Sequence, residues 1–138
     1  MASRPTLHAR PLSPHLTVYR WGPHMLVSIL HRATGDGMAT VGTLLFVWWL
    51  AALAGGPASY ARFAGVFTTS SGHLNLIGYV FGIGLTLSLF QHIASGVRHL
   101  VMDTGAAFEL KRNKRFALST MAAAVVLTLC YWLYLGIK

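Results

Sequence analysis

Residues 92–103 bring His92, Gly96, Arg98, His99 and Asp103 together at the end of a long apolar run. At about 100° per residue, His92, Gly96, His99 and Asp103 share one narrow helical stripe. Ionisable side chains this close to a membrane span are expensive and mark a ligand, a cofactor or a charge pathway. A second polar cluster, Ser28, His31, Arg32, Thr34 and Gly35, opens the preceding apolar segment. Placed at the same membrane depth, the two clusters would make one shared site.

His92 is the best metal-ligand candidate, because a neutral imidazole binds iron and a b-type haem needs axial ligands without covalent attachment. The single cysteine, Cys130, excludes a Cys-x-x-Cys-His haem attachment, a thiolate metal site and an intrachain disulfide. It reads as a small buried hydrophobe. Gly96, one turn from His92, would let a flat macrocycle approach the helix closely. Arg98 and His99 could meet haem propionates or pair with Asp103. The competing reading of His92 is a buried histidine hydrogen-bonded to a neighbouring helix.

Arg32 cannot lose its proton and needs an anionic or strongly accepting partner. Ser28 lies four residues earlier on the same face. Together they could hold a quinone carbonyl oxygen, or Arg32 could hold a propionate. A plain ion pair with Asp36 at the i,i+4 spacing, or snorkelling to lipid phosphate, is the alternative. His73 begins the second span 19 residues from His92, about 28 Å along a helix, too far to serve the same group. His8, His15 and His24 read as solvated or hydrogen-bonded residues of an N-terminal arm. Gly78 and Gly82 read as a small-xxx-small pair that permits close helix packing.

These residues need helices to hold them. Of 138 residues, 54% are hydrophobic and 10% are charged, against about a quarter charged in a soluble domain. The composition is that of a membrane protein. The formal charge of +8 does not point to nucleic acid, because the basic residues flank apolar runs and form no solvated face. Three apolar segments are each long enough to span a bilayer, which takes about 20 helical residues. The pattern predicts an all-α membrane protein of one membrane-anchor domain over residues 1–138. It has an arm over 1–23 and three transmembrane helices over approximately 24–54, 68–103 and 115–137. Gly55, Gly56 and Pro57 break the first helix. No signal-peptide core opens the chain, and Pro5, Pro11 and Pro14 would interrupt a transit-peptide helix.

Arg4, Arg10 and Arg20 precede the first span, and Lys111, Arg112, Lys114 and Arg115 lie between the second and third. Only Arg62 and Lys138 fall on the other side. The positive-inside rule therefore puts the N-terminus on the cytoplasmic or matrix side. Trp48, Trp49, Tyr131, Trp132 and Tyr134 then sit near the outer ends of their helices, where an aromatic belt belongs. His31 and His92 both fall toward the inner face, at depths agreeing to within about one helical turn.

Three motifs resemble the membrane-anchor cytochrome b subunit of succinate dehydrogenase. The arm from Arg10 to Tyr19 is similar to the family's opening segment. Residues Ser28 to Gly35, with His31 and Arg32, resemble its first-helix signature. His92, Gly96, Arg98, His99 and Asp103 resemble its second-helix signature. Order, spacing and the three-span layout agree along essentially the whole chain.

The resemblance implies a haem b-containing anchor of succinate:ubiquinone oxidoreductase, respiratory complex II. Such an anchor does no succinate chemistry itself and helps to pass electrons from the iron–sulfur subunit to ubiquinone. It further implies that His92 is an axial haem ligand and that a second anchor subunit supplies the other. His31 and Arg32, with His99 nearby, would lie beside the propionates. Ser28 and Arg32 would help form the quinone site. The implied partners are a flavoprotein subunit, the iron–sulfur subunit, the second anchor and the lipid bilayer.

Depth alone also permits a His31–His92 ligand pair. The alternatives in function are the anchor of a quinol:fumarate reductase and a haemless membrane assembly or structural protein. The short arm points to a bacterial inner membrane, with the mitochondrial inner membrane as the alternative. Asp36 has no role that the residues assign.

Overall fold

The computed structural model describes residues 13, 15, 18 and 20–137. The predicted opening motif at residues 10–19 lies outside these, except for positions 13, 15 and 18, as do Arg4, His8, Arg10 and Lys138. Five α-helices follow in order: α1 (Pro23–Gly37), α2 (Thr43–Ala54), α3 (Pro57–Phe67), α4 (Leu76–Asp103) and α5 (Leu110–Ile137). A π-helical turn, Met38–Gly42, joins α1 to α2. The first three pieces run on as 32 helical residues, and three stretches, Pro23–Ala54, Leu76–Asp103 and Leu110–Ile137, are long and apolar enough to cross a membrane. The chain is an all-α membrane protein.

Local chemistry explains the element ends. Pro23 occupies the first turn of α1, where its missing N–H is no loss. Gly56, at φ +80, makes the break after α2 that a side chain would resist, and Pro57 starts α3. Hydroxyls inside the apolar helices bond back to their own backbone: Thr86 Oγ1 donates to the Gly82 carbonyl at 2.7 Å and Thr128 Oγ1 to that of Ala124 at 2.8 Å. These two hydroxyls are then not left bare in hydrocarbon.

The second span begins at Leu76 rather than near residue 68. Residues 68–75 form a tight reversal instead. The Thr69 N–H donates to the His73 carbonyl at 2.8 Å and the Asn75 N–H to the Phe67 carbonyl at 2.9 Å. Asn75 then caps α4, its side-chain oxygen accepting from the Gly78 N–H at 2.9 Å. Its amide nitrogen donates to the Val66 carbonyl at 2.9 Å, tying α3 to α4.

Gly78 lies directly against the Phe67 carbonyl, where a Cβ would collide. Gly82 faces the Trp132 ring of α5, which a Cβ would meet at 2.8 Å. The glycine pair therefore has two tasks: one seats the loop and the other seats a helix.

The core lies where α1, α4 and α5 meet one another. Val27, Ala117 and Ala124 are buried there beside Gln91, Ser95, Arg98, Thr120 and Thr128. Small residues permit the close approach that membrane helices rely on. The other half of the first span behaves differently: among the described residues the α2 backbone comes close to that of α3 and not to that of α4 or α5. Its large side chains, such as Leu44 at 71% exposed, face outward.

Candidate functional site

The two polar clusters meet across the α1–α4 interface. The His92 Nδ1 lies 3.0 Å from the His31 carbonyl oxygen. A carbonyl only accepts, so Nδ1 carries the hydrogen and the Nε2 lone pair stays free. The Thr34 Oγ1 stands 3.3 Å from the same Nδ1. Its own hydrogen goes to the Leu30 carbonyl at 2.7 Å.

His31 is held in a matching way. Its Nδ1 lies 2.7 Å from the Ser95 Oγ, whose hydrogen goes to the Gln91 carbonyl at 2.8 Å. Both imidazoles thus have one nitrogen engaged by the scaffold, the arrangement that fixes the tautomer of a metal-ligating histidine.

The His31 and His92 rings stack, with centroids 3.9 Å apart and planes 11° from parallel. Imidazole lone pairs lie in the ring plane. Two face-to-face rings cannot aim those lone pairs at each other across one ion. In this arrangement the two rings do not face each other across a shared ion. His99 adds an edge contact to His31 at 5.2 Å. Among the described residues no three His, Cys, Asp or Glu side chains gather to hold a metal ion.

Two glycines border the rings. At Gly35 a Cβ would stand 2.9 Å from the His92 Cε1, so the absent side chain makes room for the imidazole. At Gly96 a Cβ would meet only the His31 Cε1, at 3.8 Å. That leaves a shallow open place on the helix face carrying His92 and His99.

Ser28 and Arg32 come together elsewhere on α1. With Trp21, His24, Met25 and Ile29 they line an open cleft of about 410 Å³, within the size range of small-ligand pockets. The guanidinium is exposed, while Ser28 is half-buried. One cation and one hydroxyl on a partly aromatic wall suit a flat molecule with a polar oxygen.

Arg98 departs from the cluster. It is buried and donates to the Asn113 Oδ1 across the α4–α5 interface. It lies about 240° around the helix from His92, on a different face, and Asp103 is exposed. Ser95 and Gly35, which seat the two imidazoles, are not assigned roles by the sequence pattern. A serine between two histidine-bearing turns and a glycine at the end of the first signature were the available signals.

The whole arrangement has relatives. Residues 6–131 match the model of the succinate dehydrogenase/fumarate reductase transmembrane subunit family. The chain is 33% identical to the succinate dehydrogenase cytochrome b556 subunit of Paracoccus denitrificans over 118 residues, covering 86% of this chain and 85% of that one. It is 34% identical to the cytochrome b560 subunit of Reclinomonas americana over 124 residues, covering 90% and 85% respectively. The mitochondrial cytochrome b560 subunit of Sus scrofa is 36% identical over 96 residues, 70% of this chain and 54% of that one. With three apolar helices and this match over most of its length, the chain belongs to the succinate dehydrogenase/fumarate reductase transmembrane subunit family, as a cytochrome b-type membrane anchor.

Proposed function

We propose that this chain is the anchor that holds haem b and helps form the quinone-reduction site of succinate:ubiquinone oxidoreductase. One observation carries the reading: the His92 Nδ1 is committed to the His31 carbonyl, which leaves Nε2 as the ligand atom for iron. The face-to-face stacking of His31 on His92 supports taking the second axial ligand from a partner anchor. His31, Arg32 and His99 are the residues for the propionate side, and Gly96 leaves room for the macrocycle edge. A bound haem b supplies a local one-electron store whose potential follows its ligands and surrounding charge.

Ser28 and Arg32 orient the quinone in the cleft that both line. Arg32 stabilises negative charge developing on a quinone oxygen, as a preorganised donor does for any oxyanion. Succinate oxidation belongs to the flavoprotein subunit, and the iron–sulfur subunit delivers its electrons at this end of the bundle. The basic residues Lys111, Arg112, Lys114 and Arg115 support placing that end, with the N-terminus, on the cytoplasmic or matrix face of an inner membrane.

The test is a redox difference spectrum of the complex purified through this chain, with His92→Ala beside the unaltered protein. The expected result is loss of the low-spin haem b bands from an assembled complex. An unchanged spectrum overturns the ligand assignment. In the same preparation Arg32→Leu should abolish most succinate-driven quinone reduction while reduction of an upstream dye continues.

A further inference from the structure

The quinone cleft contains a side chain with no assigned task. His24 lines it one turn from Ser28 and two turns from Arg32, so residues 24, 28 and 32 make one stripe of α1. Its ring is folded back over Gly22. A Cβ on Gly22 would stand 2.7 Å from the His24 Cε1 and 2.9 Å from Nδ1. The His24 Nδ1 is buried and finds no hydrogen-bond partner among the described residues.

A hydrogen on Nδ1 would be a buried donor with nothing to accept it, an expensive state. The favoured tautomer puts the hydrogen on Nε2. That tautomer leaves Nε2–H as the donor of a ring that packs against Gly22 and lines the cleft.

We propose that His24 is a third quinone-binding residue, donating its Nε2–H to a quinone oxygen alongside Ser28 and Arg32. The proposal rests on the quinone reading of this cleft and deepens it. A neutral donor suits the role. It strengthens its bond as the oxygen gains negative charge, and it keeps its own proton throughout.

The experiment uses the assembled complex with a short-chain ubiquinone, and rates are normalised to upstream dye reduction. His24→Phe keeps a flat ring and removes the donor, whereas His24→Gln keeps an N–H of similar reach. For one neutral hydrogen bond, His24→Phe should raise the quinone KM or lower kcat/KM about three- to tenfold. His24→Gln should recover most of that loss.

Unchanged quinone kinetics in His24→Phe would overturn the proposal. Equal impairment in both variants would overturn it too, by assigning His24 to packing alone. If His24→Phe fails to assemble, full loss of quinone reduction in an assembled His24→Gln complex has the same meaning. Arg32→Leu separates the two readings: insensitivity there removes the quinone from this cleft altogether. A sensitive Arg32→Leu beside a normal His24→Phe removes only His24.

Discussion

His92 on α4 donates its Nδ1 hydrogen to the backbone carbonyl of His31 on α1, 3.0 Å away. The bond freezes the ring of one helix against the main chain of another. With His92 as the proposed haem ligand, the bond would couple the haem to α1–α4 packing, and substitutions in α1 that move this interface should register at the haem.

Gly35 offers the sharpest case. Adding a methyl group there puts Cβ 2.9 Å from the His92 Cε1, whereas at Gly37 it meets nothing within 4 Å. Gly35→Ala should shift or weaken the low-spin haem spectrum, because the imidazole must yield. Gly37→Ala should leave it as it is. Spectra of the two purified complexes check the pair, and equal behaviour would separate Gly35 from the ligand.

Ser95 should matter through His31. Ser95→Ala removes the acceptor at 2.7 Å and leaves the half-buried His31 Nδ1–H unpaired. The expected loss is about 1–3 kcal/mol of stability, read as a lower thermal midpoint of the detergent-solubilised complex. Ser95→Thr keeps the hydroxyl and should recover part of it. A midpoint unmoved by Ser95→Ala would show that water replaces the serine.

Asn113→Ala should destabilise the α4–α5 interface without a specific haem effect. It strips the buried Arg98 guanidinium of its hydrogen-bond acceptor, and the loss expected for a bond to a charged group is about 1.5–3 kcal/mol. Arg98→Met, which removes the charge as well, should be milder than removal of Asn113 alone. Thermal unfolding of both variants gives the order, and the reverse order would mean that Arg98 has another partner.

Gly78→Ala should impair folding, because the new Cβ would run into the Phe67 backbone carbonyl, which no side-chain rotation can relieve. Overpacking of this kind costs about 1–3 kcal/mol or more. Gly84→Ala, with open space around it, should be neutral. Yield and thermal midpoint measured in parallel decide it.

The polar clusters stand out in the amino-acid sequence because a histidine or arginine inside an apolar run is conspicuous whatever the fold. His31, His92 and His99 do converge, and Ser28 and Arg32 do share a cleft. The rest depends on tertiary contact. Ser95 reads as one more small helix residue until His31 from another helix bonds to it. The partner of Gly78 is a carbonyl on α3, a helix whose 11 residues are too short and mixed to stand out. Arg98, expected beside the propionates or Asp103, bonds instead to Asn113 across the α4–α5 interface, a contact that periodicity does not encode. The burial of the His24 Nδ1 comes from Gly22 packing, which periodicity does not encode.

The isolation of α2 has a consequence for how the protein tolerates change. Among the described residues its backbone comes close only to α3 and the π-helical turn, and the candidate site residues all lie on α1 and α4. Exchanges among apolar residues along α2 should therefore accumulate with little effect on the histidine cluster or the cleft, provided the segment stays apolar. One half of the first span should then absorb substitutions that the other half cannot, with the π-helical turn at Met38–Gly42 as the border.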